Sequence, residues 1–237
     1  RAFPEMQNQP YGLIRNLIAF RFQIRESDPA EMVPEKLEAG VRVALGDEGN
    51  SQAAAHLTGR LLGFEIGEST HLEAVQEDAQ TVRDQALSHL ADYFRAMATQ
   101  LPILVLLEDL HWADDSSLDA LNHLALALVD QPVMMVGAAR PELFERRPHW
   151  GEGHSFHWRL TLESLSKWDS RRLVAEILQK VAEVPDTLCN VIVAGAEGNP
   201  FFIEELVKML IEDGVIVKGE EWWRLVPSRL ADVRVPP

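Results

Sequence analysis

Cysteine is nearly absent: Cys189 stands alone in 237 residues, so no disulfide can form within the chain. No apolar run approaches the ~20 residues that a membrane-crossing helix needs, and the two absences together point to a reducing, cytoplasmic setting. Basic side chains are scarce as well. Twenty-two Lys and Arg against 37 Asp and Glu leave a net charge of −15, which repels phosphate backbones and anionic membrane surfaces and argues against nucleic acid or a membrane as a direct partner. The pair Gly-Lys occurs nowhere, so the loop G-x-x-x-x-G-K-[ST] that cradles phosphates is missing from these residues. The opening "RAFPEMQNQPYG" has neither an initiator methionine nor a signal-peptide pattern, as expected of a chain cut from a longer polypeptide.

What is present is 46% hydrophobic, enough for one sizeable core with a smaller appended unit. In "PYGLIRNLIAFRFQI", Leu13, Leu17 and Phe20 recur at helical spacing and predict a buried helix. Residues 28–67 alternate apolar pieces with breakers, which predicts short helices joined by turns. From Leu72 through Val75, Ala79, Val82, Ala86, Leu90, Tyr93 and Phe94 an apolar stripe predicts one long amphipathic helix over 72–99. "ILVLL" (103–107) and "VMMVGAA" (133–139) are apolar without alternation, as parallel strands covered by helices on both faces are. Between them "SSLDALNHLALAL" reads as a helix opened by a capping box of Ser116 and Asp119, making one strand–helix–strand crossover.

"HSFHWRLTL" (154–162) is a third candidate strand. Beyond Leu165 the pattern turns helical, and "VIVKGEEWWRLV" predicts a hairpin turning at Gly219. The expected fold is therefore α/β, a parallel sheet flanked by helices over 1–163, then a helical lobe over 164–213, then a terminal β-hairpin and linker over 214–237.

"VLLEDLHWADD" places four carboxylates, Glu108, Asp109, Asp114 and Asp115, at the exit of the most hydrophobic strand. Ligands of open α/β sheets bind beyond the carboxyl ends of the strands. One carboxylate there can hold Mg²⁺ and a second can orient or deprotonate a water, the division of labour in phosphoryl transfer. Asp114 and Asp115 read instead as capping the helix that follows, where negative charge is favoured. Capping does not account for Glu108 and Asp109, which lie upstream of the helix.

The stretch "LPILVLLEDLHWADDSSLDAL" resembles the Walker B segment of the STAND class of P-loop ATPases, in particular those attached to bacterial nucleotide cyclases and large LuxR-type regulators. "QPYGLIRNLI", "VMMVGAARPEL" and "EGNPFFIEELVKML" resemble the same family in the same order, so the likeness covers most of the chain. It implies a partial P-loop NTPase-type sheet, ATP and Mg²⁺ as cofactors, and a cytoplasmic signalling or transcription-regulatory protein that switches with ATP or ADP bound. Its partners would be other domains of the same polypeptide and further copies of itself. By the resemblance Glu108 takes the metal-side position, Asp109 the catalytic one, Arg140 reads the γ-phosphate and Pro200 contacts adenine. Many relatives carry Asp where this chain has Glu108, whose extra methylene moves the carboxylate outward by more than about 1 Å and routes metal contact through water. The family's Walker A would lie upstream of Arg1, so these residues hold half an active site and should not hydrolyse ATP alone.

Other features read more plainly. His149, His154 and His157 fit no common zinc spacing. His111 and Trp112 shape a pocket wall or pack; Arg146 and Arg147 make a solvated turn; Trp222 and Trp223 make a docking face for another domain. A degenerate, ATPase-like scaffold that binds proteins without hydrolysis is the rival reading, and a phosphohydrolase using the acidic cluster alone ranks behind both, for want of further metal ligands.

Overall fold

A computed structural model describes residues 1–46, 48–73 and 78–230. They form two compact units, Arg1–Trp158 and Arg159–Pro237. The chain is mixed α/β and mostly helical, with a two-stranded parallel sheet in the first unit and a short antiparallel hairpin in the second. Among the described residues no helix is long and apolar enough to cross a membrane.

The first unit opens with α1 (Gly12–Arg21), α2 (Met32–Leu45), α3 (Glu48–Leu61), α4 (Thr70–Glu73) and α5 (Ala79–Ala98). In α1 the buried residues are Leu13, Ile14 and Ile18, while Phe20 is exposed. The stripe is thus rotated from the expected Leu13–Leu17–Phe20 line, onto the i, i+4 pair Ile14 and Ile18 beside Leu13. The helix expected over 72–99 starts afresh at Ala79, since Asp78 is extended and caps α5 by accepting hydrogen bonds from the Gln80 and Thr81 amides; Val75 lies outside the described residues. Ala86, Leu87, Leu90, Ala91, Tyr93 and Phe94 bury the core face of α5.

Hydrogen bonds from the Thr81 hydroxyl, then from the Gln80 amide, hold the Asp78 carboxyl below the usual carboxylate range. A depressed folded-state value means the cap contributes at neutral pH and is lost as pH falls through that value. Asp78→Ala should therefore melt lower than the parent at pH 7, and the gap should narrow steadily below about pH 4; thermal melts across that range check it.

Then come β1 (Ile103–Leu107), α6 (Asp115–Ala127), β2 (Val133–Gly137) and α7 (Glu142–Arg146). The two strands pair in parallel from Ile103 opposite Val133 to Leu107 opposite Gly137, with α6 as the crossover. Val105 and Leu107 face the core, but Leu104 and Leu106 are 59% and 64% exposed, and on β2 Met134 is 64% and Val136 40% exposed. The expected cover on both faces is therefore present on one only, because the helices of this unit pack on a single side. The capping box expected at Ser116 is also displaced: Asp114 is the N-cap of α6 and accepts from the Ser117 amide. Residues 154–162 form no strand among the described residues. Trp158, Leu160 and Leu162 stand exposed, since an apolar alternating segment becomes a strand only where another offers its backbone groups.

The second unit packs α8 (Lys167–Ile177), α9 (Asp186–Ala196) and α10 (Pro200–Glu212) around Val174, Leu178, Leu188, Ile192, Ile203, Val207 and Leu210. Ser166 caps α8, and Asn199 caps α10 with Pro200 at the first helical position, where a missing N–H costs nothing. Gly198 has φ 81°, and a Cβ there would fall 2.5 Å from the Leu165 carbonyl oxygen. A side chain is thus excluded twice in "GNP". β3 (Ile216–Val217) and β4 (Arg224–Leu225) make the hairpin, followed by α11 (Pro227–Leu230). Trp223 is half-buried beneath Lys218, and Trp222 is exposed.

Candidate functional site

The parallel ladder runs one step past the strands: the Ala138 amide donates to the Leu107 carbonyl at 2.8 Å and the Leu110 amide to the Ala138 carbonyl at 2.9 Å. Glu108 and Asp109 on one chain segment and Ala138 to Arg140 on the other therefore leave the same edge of the sheet together. Gly137 leaves room for the Leu110 side chain here, since a Cβ on it would meet Leu110 Cδ1 at 2.5 Å and push that side chain aside.

Asp109 turns the chain. It is left-handed (φ 57°, ψ 38°), a conformation that Asp and Asn tolerate better than most residues, and it leads into a single 3-10 turn, Leu110–Trp112. Its carboxylate accepts from Arg1 Nε at 2.7 Å, and the neighbouring Glu108 carbonyl accepts from the Ala2 amide at 2.9 Å. The Glu108 side chain and the Arg140 guanidinium are exposed and have no ion-pair partner among the described residues, so the structure does not pair Arg140 with either acid. Pro200 lies in the second unit as part of the α10 cap.

His111 follows directly. It is 6% exposed; its Nδ1 accepts from the Arg140 amide at 3.4 Å, its carbonyl accepts from Gln7 Nε2 at 3.2 Å, and its ring lies 5.0 Å from that of Trp112. Its Nε2 is buried with no partner among the described residues.

Asp114, 4% exposed, accepts from the amides of Tyr11 (2.9 Å), Gly12 (3.1 Å) and Ser117 (2.8 Å) and from the Ser117 hydroxyl (2.5 Å). It thus joins the starts of α1 and α6, more than the local cap expected of it. Arg146 and Arg147 are not a solvated turn. Arg146 donates to the Ala113 carbonyl and Arg147 to Asp119, both at 2.5 Å, with Asp115 within 3.6 Å of each. The hydrogen bond to Asp119 raises the Arg147 pKa further. These two arginines pin α7, and with it the Arg140 segment, to the start of α6.

Sequence reasoning also missed a buried cluster in which His56 on α3 has Nδ1 2.7 Å from Ser69 Oγ and Nε2 2.7 Å from Glu38 Oε1. It knits α2, α3 and the segment entering α4, and no spacing rule announces contacts between residues 13 and 18 apart. His149 pairs with Glu152, and among the described residues no three His, Cys, Asp or Glu side chains gather as a metal site.

Residues 166–218, most of the second unit's helical core, match a family described as a domain of unknown function, DUF8739. The chain is also similar to an uncharacterized protein of Rhizobium meliloti (strain 1021), 29% identical over 140 residues, which are 58% of this chain and 13% of that protein. The chain thus spans a small part of that relative's length. No solved structure matches.

Proposed function

We propose that this chain is the Walker B half of an ATP-binding regulatory module with a P-loop NTPase-type sheet, serving a multidomain signalling or transcription-regulatory protein. The observation that supports this most is the shared exit of β1 and β2, which brings Glu108, Asp109 and Arg140 to one sheet edge. Glu108, exposed and without an ion pair among the described residues, suits a hydrated Mg²⁺, a cation that takes one or two protein carboxylates and completes its shell with phosphate and water. Asp109 would orient or deprotonate the attacking water. Its ion pair with Arg1 is no obstacle: the two side chains are 61% and 30% exposed, and such pairs contribute at most about 1 kcal/mol. Arg140, whose guanidinium has no ion-pair partner among the described residues, would read the γ-phosphate. The adenine role of Pro200 rests on the resemblance alone.

A phosphate-cradling loop is required and these 237 residues contain none, so ATP binding is expected only of a polypeptide that also carries one. Calorimetry with ATP·Mg²⁺ should give no measurable heat of binding for the chain alone and clear binding for the intact polypeptide. Micromolar binding by the chain alone would show that the loop is not needed. An intact polypeptide with a Gly-Lys loop that fails to bind would sink the ATPase reading.

The open apolar face of Leu104, Leu106, Met134 and Val136 favours a second reading, an ATPase-like scaffold that binds another protein layer without hydrolysis. Binding of a partner with no nucleotide dependence would support it.

A further inference from the structure

We infer that His111 is a positioning residue that holds the main chain of Arg140 in step with the turn carrying Glu108 and Asp109, and that it does so as the neutral imidazole protonated on Nε2. The tautomer follows from the donor. A backbone N–H can only donate, so Nδ1, which receives the Arg140 amide at 3.4 Å, must present its lone pair, and the ring proton falls to Nε2. The residue is held from other sides too. Its backbone carbonyl accepts from Gln7, its ring lies against that of Trp112, and with 6% exposure the side chain has little freedom to swing out.

The link crosses the sheet edge where the two strands part. The Leu110 amide has already spent its donor on Ala138, so the His111 ring is the next connection outward between the two exits, 29 residues apart in sequence. An N–H held buried on Nε2 without an acceptor among the described residues is costly, and a hydrophobic side chain of similar shape would avoid that cost. Its presence makes sense for a residue kept for the contact on its other nitrogen. What this link positions, a γ-phosphate-reading arginine relative to a catalytic carboxylate, rests on the function proposed above; the link itself does not.

The first test uses the chain without nucleotide. Side-chain ¹⁵N NMR should show His111 protonated on Nε2 and bare on Nδ1, and the Arg140 amide should exchange with solvent about tenfold faster in His111→Ala. His111→Asn, whose amide oxygen stands near the position of Nδ1 and can accept the same N–H, should restore protection. An Nδ1-protonated tautomer, or an Arg140 amide indifferent to both substitutions, overturns the inference, and the tautomer measurement stands even if the alanine variant misfolds.

The second test uses the intact polypeptide. His111→Ala should narrow its preference for ATP over ADP about tenfold, the ordinary size of a coupling between sites, with His111→Asn close to the parent. A parent that binds no ATP would remove the proposed function and leave the link standing. A parent whose ATP preference survives His111→Ala would remove the positioning role and leave the proposed function standing.

Discussion

Replacing Asp114 by alanine should destabilise the first unit by roughly 3–5 kcal/mol, a large share of the 5–15 kcal/mol that holds a typical domain folded. One buried carboxylate serves the Tyr11, Gly12 and Ser117 amides and the Ser117 hydroxyl. Gly12 keeps a second acceptor in the Gln9 carbonyl at 2.9 Å, but the half-buried Tyr11 amide and the buried Ser117 amide are left with no other acceptor among the described residues. The Ser117 hydroxyl, which itself accepts from the Leu13 amide at 3.2 Å, loses the partner that orients it. The effect spreads because α1 and α6 begin on the same side chain. Asp114→Asn keeps one acceptor oxygen and should cost about half as much. Thermal unfolding of the chain checks both, with a fall in midpoint of roughly 10 °C expected for the alanine variant. A change below about 1 kcal/mol would mean that water satisfies those amides and that Asp114 is a local cap after all.

What could be read from the sequence follows contact range. "ILVLL", "VMMVG" and the helix between them were legible because apolar runs, turn residues and periodicity are local properties, and a parallel pair so linked brings its two exits to one edge. The resemblance assigns Glu108, Asp109 and Arg140 to one site, and this local pattern accounts for the sheet edge they share. The apolarity of β1 says what the strand needs on both faces, not what these residues supply, so the exposure of Leu104 and Leu106 was invisible. The same holds for 154–162, a strand-like pattern with no strand to pair it among the described residues. The contacts of Arg146, Arg147 and His111 leave no local trace for another reason: their partners lie 28 to 33 residues away, and a charged pair in a turn looks alike whether it is solvated or clamped. Left-handed Asp109 gave no warning either, since no glycine marks the position.

If the intact polypeptide hydrolyses ATP as proposed, Asp109→Asn should slow that hydrolysis by roughly 10²–10⁴-fold, the usual contribution of a positioned general base, while changing ATP affinity only a few-fold. The substitution suits the question because Asn tolerates the left-handed conformation as readily as Asp does, so the turn from β1 into Leu110 survives. It gives up the ion pair with Arg1, an exposed contact with at most about 1 kcal/mol of stability at stake, so a folding defect cannot imitate the kinetic one. Glu108→Gln provides the contrast. If Glu108 is the metal-side carboxylate, its loss should appear as weaker Mg²⁺-dependent nucleotide binding, with a smaller effect on turnover once magnesium is saturating. The measurement is steady-state turnover at saturating ATP beside calorimetric affinity, for parent and both variants. Equal turnover by parent and Asp109→Asn would place the base elsewhere and leave Asp109 as the residue that bends the chain at the strand exit. Loss of turnover in Glu108→Gln with affinity intact would exchange the two roles, and the added methylene of Glu108 would then be what lets its carboxylate reach the water.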